Sequence, residues 1–415
     1  MVDRITPNIW TDYPKIPLPQ VLSFIVDNRG KTVPTTETGH KLIATNCIRN
    51  ENLYPSYEKI RFLSDDTYRN WFRAHPVPGD IIFVCKGTPG RVCMVPDPID
   101  FCIAQDMVAL RANEDIVYNR YLLVILRSAE IQKQIYNYSV GDVIPHFKKS
   151  FFDRLEIPIP PMKIQRAIGD FYFSFSLKIE LNTQINHNLE EQAKAIFKSW
   201  FLDFSALDNP DFYSYEGVTC PVGWRVSYLA DIADYLNGLA MQKYRPDEGD
   251  FGYPVLKIKE LRQRMCDKDS ERCSFHIKPE YIVHDGDVIF SWSGSLLVDF
   301  WCGGECGLNQ HLFKVSSTKY DKWFYYSWTQ YHLNEFIAIA ADKATTMGHI
   351  KREHLQSATV LVPPADIYNE IGKLLGPIYE AITRNRIESK MLAQLRDSLL
   401  PKLMSGEIDV SEVEV

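Results

Sequence analysis

The polar residues with chemistry to offer fall into two sets that keep the same order along the chain. In the first half Lys86, Thr88 and Arg91 follow the apolar run IIFV, Gln105 precedes Asp106, and His146, Lys148 and Lys149 open a basic stretch. In the second half Ser293 and Ser295 follow VIFSW, and Gln310 precedes His311. Thr345 and Thr346 come next, and His349, Lys351 and Arg352 close the set. Lys and Arg can hold phosphates, while Gln, His, Ser and Thr can reach base edges. Taken singly, each reads equally well as a solvated loop or cap residue. Repeated in one order, they read as two DNA-contacting heads.

Catalysis finds no comparable set. The phosphate loop GxxxxGK[ST] is missing, and Asn209-Pro210-Asp211-Phe212 lacks the second proline of an amino-methyltransferase tetrad and reads as a linker turn. The Pro-Asp pairs at 96–97 and 246–247 are not followed by the Asp/Glu-x-Lys of a metal nuclease. Cys302 and Cys306 with His311 lack a second ligand pair at standard spacing, which favours ordinary cysteines over a metal site. Ser293 and Ser295 sit in SWSGS, which is no nucleophile elbow. The chain is expected to be non-catalytic, with no metal and no cofactor of its own.

Composition bounds the setting. The 415 residues are enough for two domains or more, and 45% apolar with 24% charged residues is ordinary for a water-soluble chain. No apolar run approaches the ~20 residues a bilayer span needs, and MVDRITPNIW has no secretory core. Nine cysteines without a CxxC suit a reducing cytoplasm. The net charge of −7 is spread unevenly: residues 1–160 hold 19 Lys+Arg against 18 Asp+Glu, and 210–364 hold 16 against 20. Phosphate binding must then rely on local patches or on a basic partner.

The elements that position the two sets are themselves duplicated. HFKKSFFDRLEIPIPP at 146–161 answers HIKREHLQSATVLVPP at 349–364, an offset of 203 that continues with Gly169 on Gly372, Asn182 on Asn385 and Trp200 on Leu403. Upstream, PGDIIFVCKG (78–87) answers DGDVIFSWSG (285–294). Such a period exceeds any solenoid repeat and marks a duplicated unit. Each unit begins with short β-type runs, expected to form a mixed α/β domain with a twisted, mostly antiparallel sheet. It ends in 162–204 or 365–405, where apolar residues recur at three- and four-residue steps. These predict helical rods of ~60 Å, started by Pro-Pro and, in the second, stopped at Gly406. Two such stripes have a natural partner in each other. The expected fold is therefore α+β: recognition domains at 1–160 and 209–364, and helical spacers at 161–208 and 365–415. The helices would pair as an antiparallel coiled coil with pseudo-twofold symmetry, which places the globular domains at opposite ends.

Several stretches then carry a resemblance. IFKSWFLDF (196–204), LRDSLLPKLMSGEI (395–408), PVGW (221–224), LADIADYLNG (229–238) and the two H-[FI]-K-[KR]…PP junctions together resemble the specificity (S) subunit of Type I restriction–modification enzymes. The resemblance spans the chain. It implies two target-recognition domains, each reading half of a split double-stranded DNA site, with the helices as a ruler between them. It also implies two methyltransferase (M) subunits and restriction (R) subunits as partners. Those partners would bind S-adenosylmethionine, ATP and Mg2+, and act as an adenine methyltransferase and an ATP-dependent endonuclease.

The resemblance leaves the M-subunit surface to be placed. Phe197, Trp200, Phe201, Phe204, Leu400, Leu403 and Met404 exceed what one helix stripe needs, and a partner groove would explain the surplus. The halves differ most in 30–75 and 240–283, so an asymmetric target is expected. Two other readings stay open: the detached recognition half of a fused methyltransferase-nuclease, and a structural coiled-coil protein without a DNA role.

Overall fold

The structure is a computed structural model that describes residues 7–28, 30–141, 143–215, 217–342 and 348–408. Met1–Leu181 with Met391–Val415 form one compact unit and Asn182–Lys390 the other, so both boundaries fall inside the long helices.

The first unit is organised around Ile81–Val84, the run that reads IIFV. All four side chains are buried, with Ile81 and Phe83 in one core cluster and Ile82 and Val84 in another. A strand covered on both faces has no reason to alternate, which explains the unbroken apolar run. Burying each such side chain contributes roughly 1.5–3 kcal/mol, against about 1–2 kcal/mol per residue for ordering the backbone. The sheet runs Leu22–Val26, Met107–Ala112, Ile81–Val84, Val92–Met94, antiparallel throughout. A smaller sheet sets Arg61–Leu63 beside His40–Ile43 and pairs the latter in parallel with Phe101–Ile103. Lys15–Pro17 and Glu156–Pro158 close the unit as a ribbon. Helices Asn119–Arg127 and Ala129–Tyr138 are divided at Ser128, whose Oγ accepts the Ile131 N–H at 3.3 Å.

The second unit repeats this plan. Asp234–Asn237, Leu312–Ser316, Val288–Ser291 and Leu297–Phe300 form its main sheet. Arg272–Cys273, Tyr253–Leu256, Cys306–Leu308 and Ile282–Val283 form the smaller one, with Tyr253–Leu256 and Cys306–Leu308 parallel. Arg225–Tyr228 and Thr359–Val362 make the closing ribbon. A single helix, Lys322–Asp342, replaces the broken pair. The sheets are mostly antiparallel, as expected. Their division into two per unit, each smaller one with a parallel pair, is a finding of the structure.

The long helices run Met162–Phe201 and Ala365–Ser405. Gly406 follows the second at φ 76°, the left-handed stop read from sequence. They pack antiparallel within each unit. In the second unit Asn182 Nδ2 donates to Glu388 Oε2 at 2.8 Å, Asn186 Nδ2 to the Ile382 carbonyl at 3.3 Å, and Arg386 to Glu190 Oε1 at 2.8 Å. In the first unit Arg396 donates to Ser176 Oγ at 3.1 Å and lies 4.8 Å over the Tyr172 ring.

Candidate nucleic-acid interface

The chain leaves the buried strand Ile81–Val84 through a tight turn, Lys86 to Arg91, in which Gly87 and Gly90 take φ of 85° and 88°. Backbone hydrogen bonds then gather three distant segments at the strand end. Cys85 N–H donates to the Asp106 carbonyl at 2.9 Å, Gly87 N–H to Pro145 at 2.9 Å, and Phe147 N–H to Cys85 at 2.8 Å. Lys86 and His146 pair as an antiparallel bridge. The sequence sets around 86, 105 and 146 are thus one surface, with Lys86, Arg91 and Lys148 exposed and Thr88, Gln105 and His146 half-buried. Lys148 Nζ stands 6.0 Å over the Phe151 ring. Burial pushes the Cys85 thiol up to about 12, so it serves packing.

The second unit builds the same junction at the end of Val288–Ser291. Ser293 bridges His349, Gly294 N–H donates to the Gly348 carbonyl at 2.9 Å, and Ile350 N–H donates to Trp292 at 3.1 Å. Ser293 Oγ shares a 3.0 Å hydrogen bond with His311 Nδ1, and His311 Nε2 lies 3.4 Å from Gln310 Nε2. Ser293 is only 4% exposed, so the pair orients the His311 ring and offers no open nucleophile. Trp292 is fixed by a 3.0 Å bond from Nε1 to Asn237 Oδ1 and meets the His349 ring edge-on at 6.1 Å. Ser295 is exposed on the following turn. Lys351 and Arg352 are exposed at the start of helix Arg352–Ser357, where Lys351 Nζ lies 3.6 Å from Glu353. Thr345 and Thr346 lie outside the described residues.

One of the basic residues already has an acidic partner. Lys149 forms an ion pair with Asp27, on the segment after Leu22–Val26, and its charge is already met there.

Five of the seven apolar helix residues, Phe197, Trp200, Phe201, Leu403 and Met404, are buried in this chain's own cores, which corrects their reading as a partner surface; Phe204 and Leu400 are half-buried against the same cores. Phe197, Trp200 and Phe201 are buried beside Trp224, Phe324 and Trp328, and Phe204 packs edge-on against Trp224 at 5.8 Å. Leu403 and Met404 are buried in the first unit's core, Leu400 packs on it, and Ile9 N–H donates to the Met404 carbonyl at 3.0 Å. A side chain desolvated inside its own domain has little left to offer a second protein. The large apolar residues the helices do expose are others, among them Leu181 and Met391 in the first unit and Ile185 and Leu374 in the second.

A further cluster has no local sequence signal. On the smaller sheet of the first unit, Tyr68 stacks between His40 and His75, at 4.1 and 4.3 Å, beside a cavity of about 290 Å³. Lys41 and Tyr57 both donate to Asp100. Burial works against that carboxylate's charge, yet the two donors hold its pKa below the ordinary value. Burial lowers the His75 pKa, while its bond with the Tyr68 carbonyl opposes the shift.

Among the described residues no helix is long and apolar enough to cross a membrane, and no three His, Cys, Asp or Glu converge as metal ligands. Comparison with known proteins points one way. The profile of the Type I restriction modification DNA specificity domain matches twice, over residues 38–191 and 221–390. The MjaIX specificity subunit of Methanocaldococcus jannaschii is 26% identical over 72% of this chain and 71% of its own. The HindI specificity subunit of Haemophilus influenzae is 23% identical over 80% and 86%. The fold matches the crystal structure of a Type I S subunit from M. genitalium with a TM-score of 0.56, at 14% identity, over 96% of this chain and 99% of that one. With two tandem specificity domains and a pair of long helices, the chain belongs to the family of Type I restriction–modification specificity subunits.

Proposed function

We propose that each unit reads one half of a split double-stranded DNA site through the junction at the end of its central strand. The observation that carries this reading is the repeated bridge, Lys86 with His146 and Ser293 with His349, each holding basic and amide side chains at one strand end. One half-site is too little information: a correct base pair contributes about 1–3 kcal/mol of discrimination, so two readers on one chain multiply selectivity and count the gap between half-sites. The junctions differ in side chains, Lys86 and Asp106 against Ser293 and His311, which supports unlike half-sites. The exposed helix residues Leu181, Ile185, Leu374 and Met391 would seat two M subunits, and R subunits would join the full complex. S-adenosylmethionine, ATP and Mg2+ would be held by those partners, and this chain would supply no catalytic group. Nine free thiols suit work in the cytoplasm.

Long-read methylation sequencing tests the reading in a methylation-free host carrying this gene with its neighbouring methyltransferase gene. Methylated adenine in one split motif of fixed gap, present only with this chain, is the expected result. Marks at equal density without this chain would overturn it.

A further inference from the structure

The strand-end junction of the first unit carries a feature that phosphate and base-edge contacts do not explain. Val140 and His146 exchange both backbone hydrogen bonds, at 2.9 and 2.8 Å, and so close the intervening residues into a narrow loop. Gly141 holds φ 96°, and a Cβ there would lie 2.8 Å from the Ile144 carbonyl, so only glycine makes this turn. Gly87 N–H to Pro145 and Phe147 N–H to Cys85 stitch the loop's base to the central strand. On this restrained base, Val143 is 92% exposed, Ile144 is 55% exposed and Pro145 is also exposed. A contiguous apolar tip held out into water marks an interaction site.

Charge decides the partner. Exposed Lys86 is the bridge partner of His146 and exposed Lys148 follows it by two residues, while the sequence between 140 and 146 holds one acid, Asp142. An apolar point flanked by lysines complements a duplex, whose phosphates lie outside and whose base stack lies within. We infer that Val143, Ile144 and Pro145 form a wedge that enters a groove and partly unstacks one base step in or beside the first half-site. This rests on the DNA-reading role proposed above and adds to it a readout of deformability, since steps differ in the cost of being opened. The matching stretch of the second half reads KATTM at 343–347, where Thr346 stands opposite Val143 and Met347 opposite Ile144, so the pair of branched apolar residues is not repeated.

The test uses the assembled complex with its M subunits and a duplex carrying the methylated motif mapped in the host. 2-Aminopurine is placed at one position after another across the first half-site and the adjoining gap, leaving out the methylated adenine. The wild-type complex should raise fluorescence several-fold at one step. The double variant Val143→Ser, Ile144→Ser should lose that rise and bind the duplex roughly ten-fold more weakly, with an unchanged salt slope and intact subunit assembly. The conservative Ile144→Leu should keep both the rise and the affinity. A wild-type complex that methylates the motif without a step-specific rise overturns the wedge and leaves the reading of function intact. So does a double variant that matches wild type, or one that sheds its M subunits instead of DNA. A wild-type chain that directs no methylation and binds no duplex removes the DNA-reading role and the wedge together.

Discussion

Asn182 donates through Nδ2 to the backbone carbonyl of Asn385 at 3.3 Å, and these two asparagines are the same position of the duplicated sequence, 203 residues apart. Asn385 returns a 2.9 Å bond to Asn186 Oδ1, while Asn182 also reaches Glu388 and Ser389. Where a repeat meets its own counterpart, the antiparallel register of the helices is set. Asn182 and Asn186 are nearly fully buried, so this register is written in polar groups within an apolar seam.

Replacing Asn182 by Ala removes its bonds to Glu388 and Ser389 and should cost about 1–3 kcal/mol. A double-mutant cycle with Ser389→Ala, read by urea unfolding of the full chain, should show the two losses to be non-additive. Additive losses would mean that the seam asparagine does not bond as the structure places it.

Arg386 is the sharper case. Its guanidinium bridges Asp299 at 2.6 Å and Glu190 at 2.8 Å, with the Arg386 and Asp299 side chains only 10% and 8% exposed. Asp299 also pairs with Arg264 at 2.7 Å. Removing Arg386 leaves the buried Asp299 carboxylate only partly compensated, by Arg264, so Arg386→Ala should destabilise the second unit by up to about 3–5 kcal/mol. Replacing the pair by Arg386→Met with Asp299→Leu should recover much of the loss. A double variant as unstable as the single one would show that packing, not charge, is what Arg386 supplies.

The helix aromatics and the exposed helix residues should separate in experiment. Phe201→Ala opens a cavity beside Trp224 and Trp328 and should cost about 3–5 kcal/mol in stability. Met391→Glu, at a position 63% exposed, should leave the melting temperature within a few degrees and lower retention of M subunits in a pull-down. Normal retention by the Met391 variant would move the partner surface elsewhere.

Much of this architecture was legible in the sequence because it is periodic or repeated. The rods show it in three- and four-residue steps, and IIFV and VIFSW as unbroken apolar runs. The bridges at Lys86 and Ser293 fall where the two polar sets had been aligned by order alone. The misreading at Phe197, Trp200 and Phe201 has a physical cause. A helix pattern shows that a side chain wants cover, but not whether the cover is a partner or, as here, Trp224 and Trp328 of the same chain. The parallel pairing of His40–Ile43 with Phe101–Ile103 had no signal either, since three- and four-residue strands take their partners from distant segments. The Tyr68 stack with His40 and His75 is of the same kind.

That stack gives a pH dependence. Burial lowers the His75 pKa in the folded chain, so below the unfolded value of about 6.5 the unfolded chain binds more protons. Stability therefore rises with pH through the window between the folded and unfolded values. It is fully present above the unfolded value and lost as pH falls through the folded one. Thermal unfolding from pH 5 to 7.5 should show this slope in wild type and a shallower one in His75→Phe, which keeps a ring beside Tyr68. Equal slopes would assign the effect to other groups.

The junction lysines divide by their partners, and salt dependence can read the division. Each phosphate neutralised contributes about −0.9 to the slope of log K against log salt. Lys86 and Lys148 are exposed, so alanine at either should flatten the slope of the assembled complex by about 1 and weaken binding to all sequences alike. Lys149 is held by Asp27, and Lys149→Ala should leave the slope unchanged. Its charge is satisfied within the protein whether DNA is present or not, so no counterion is released on its account. Titrations at several salt concentrations, on the mapped duplex and on a scrambled one, give the slopes and the specificity ratio together. Flattening by Lys149→Ala of the size expected for Lys148→Ala would mean that the Asp27 pair opens on DNA and that the junction rearranges when it binds.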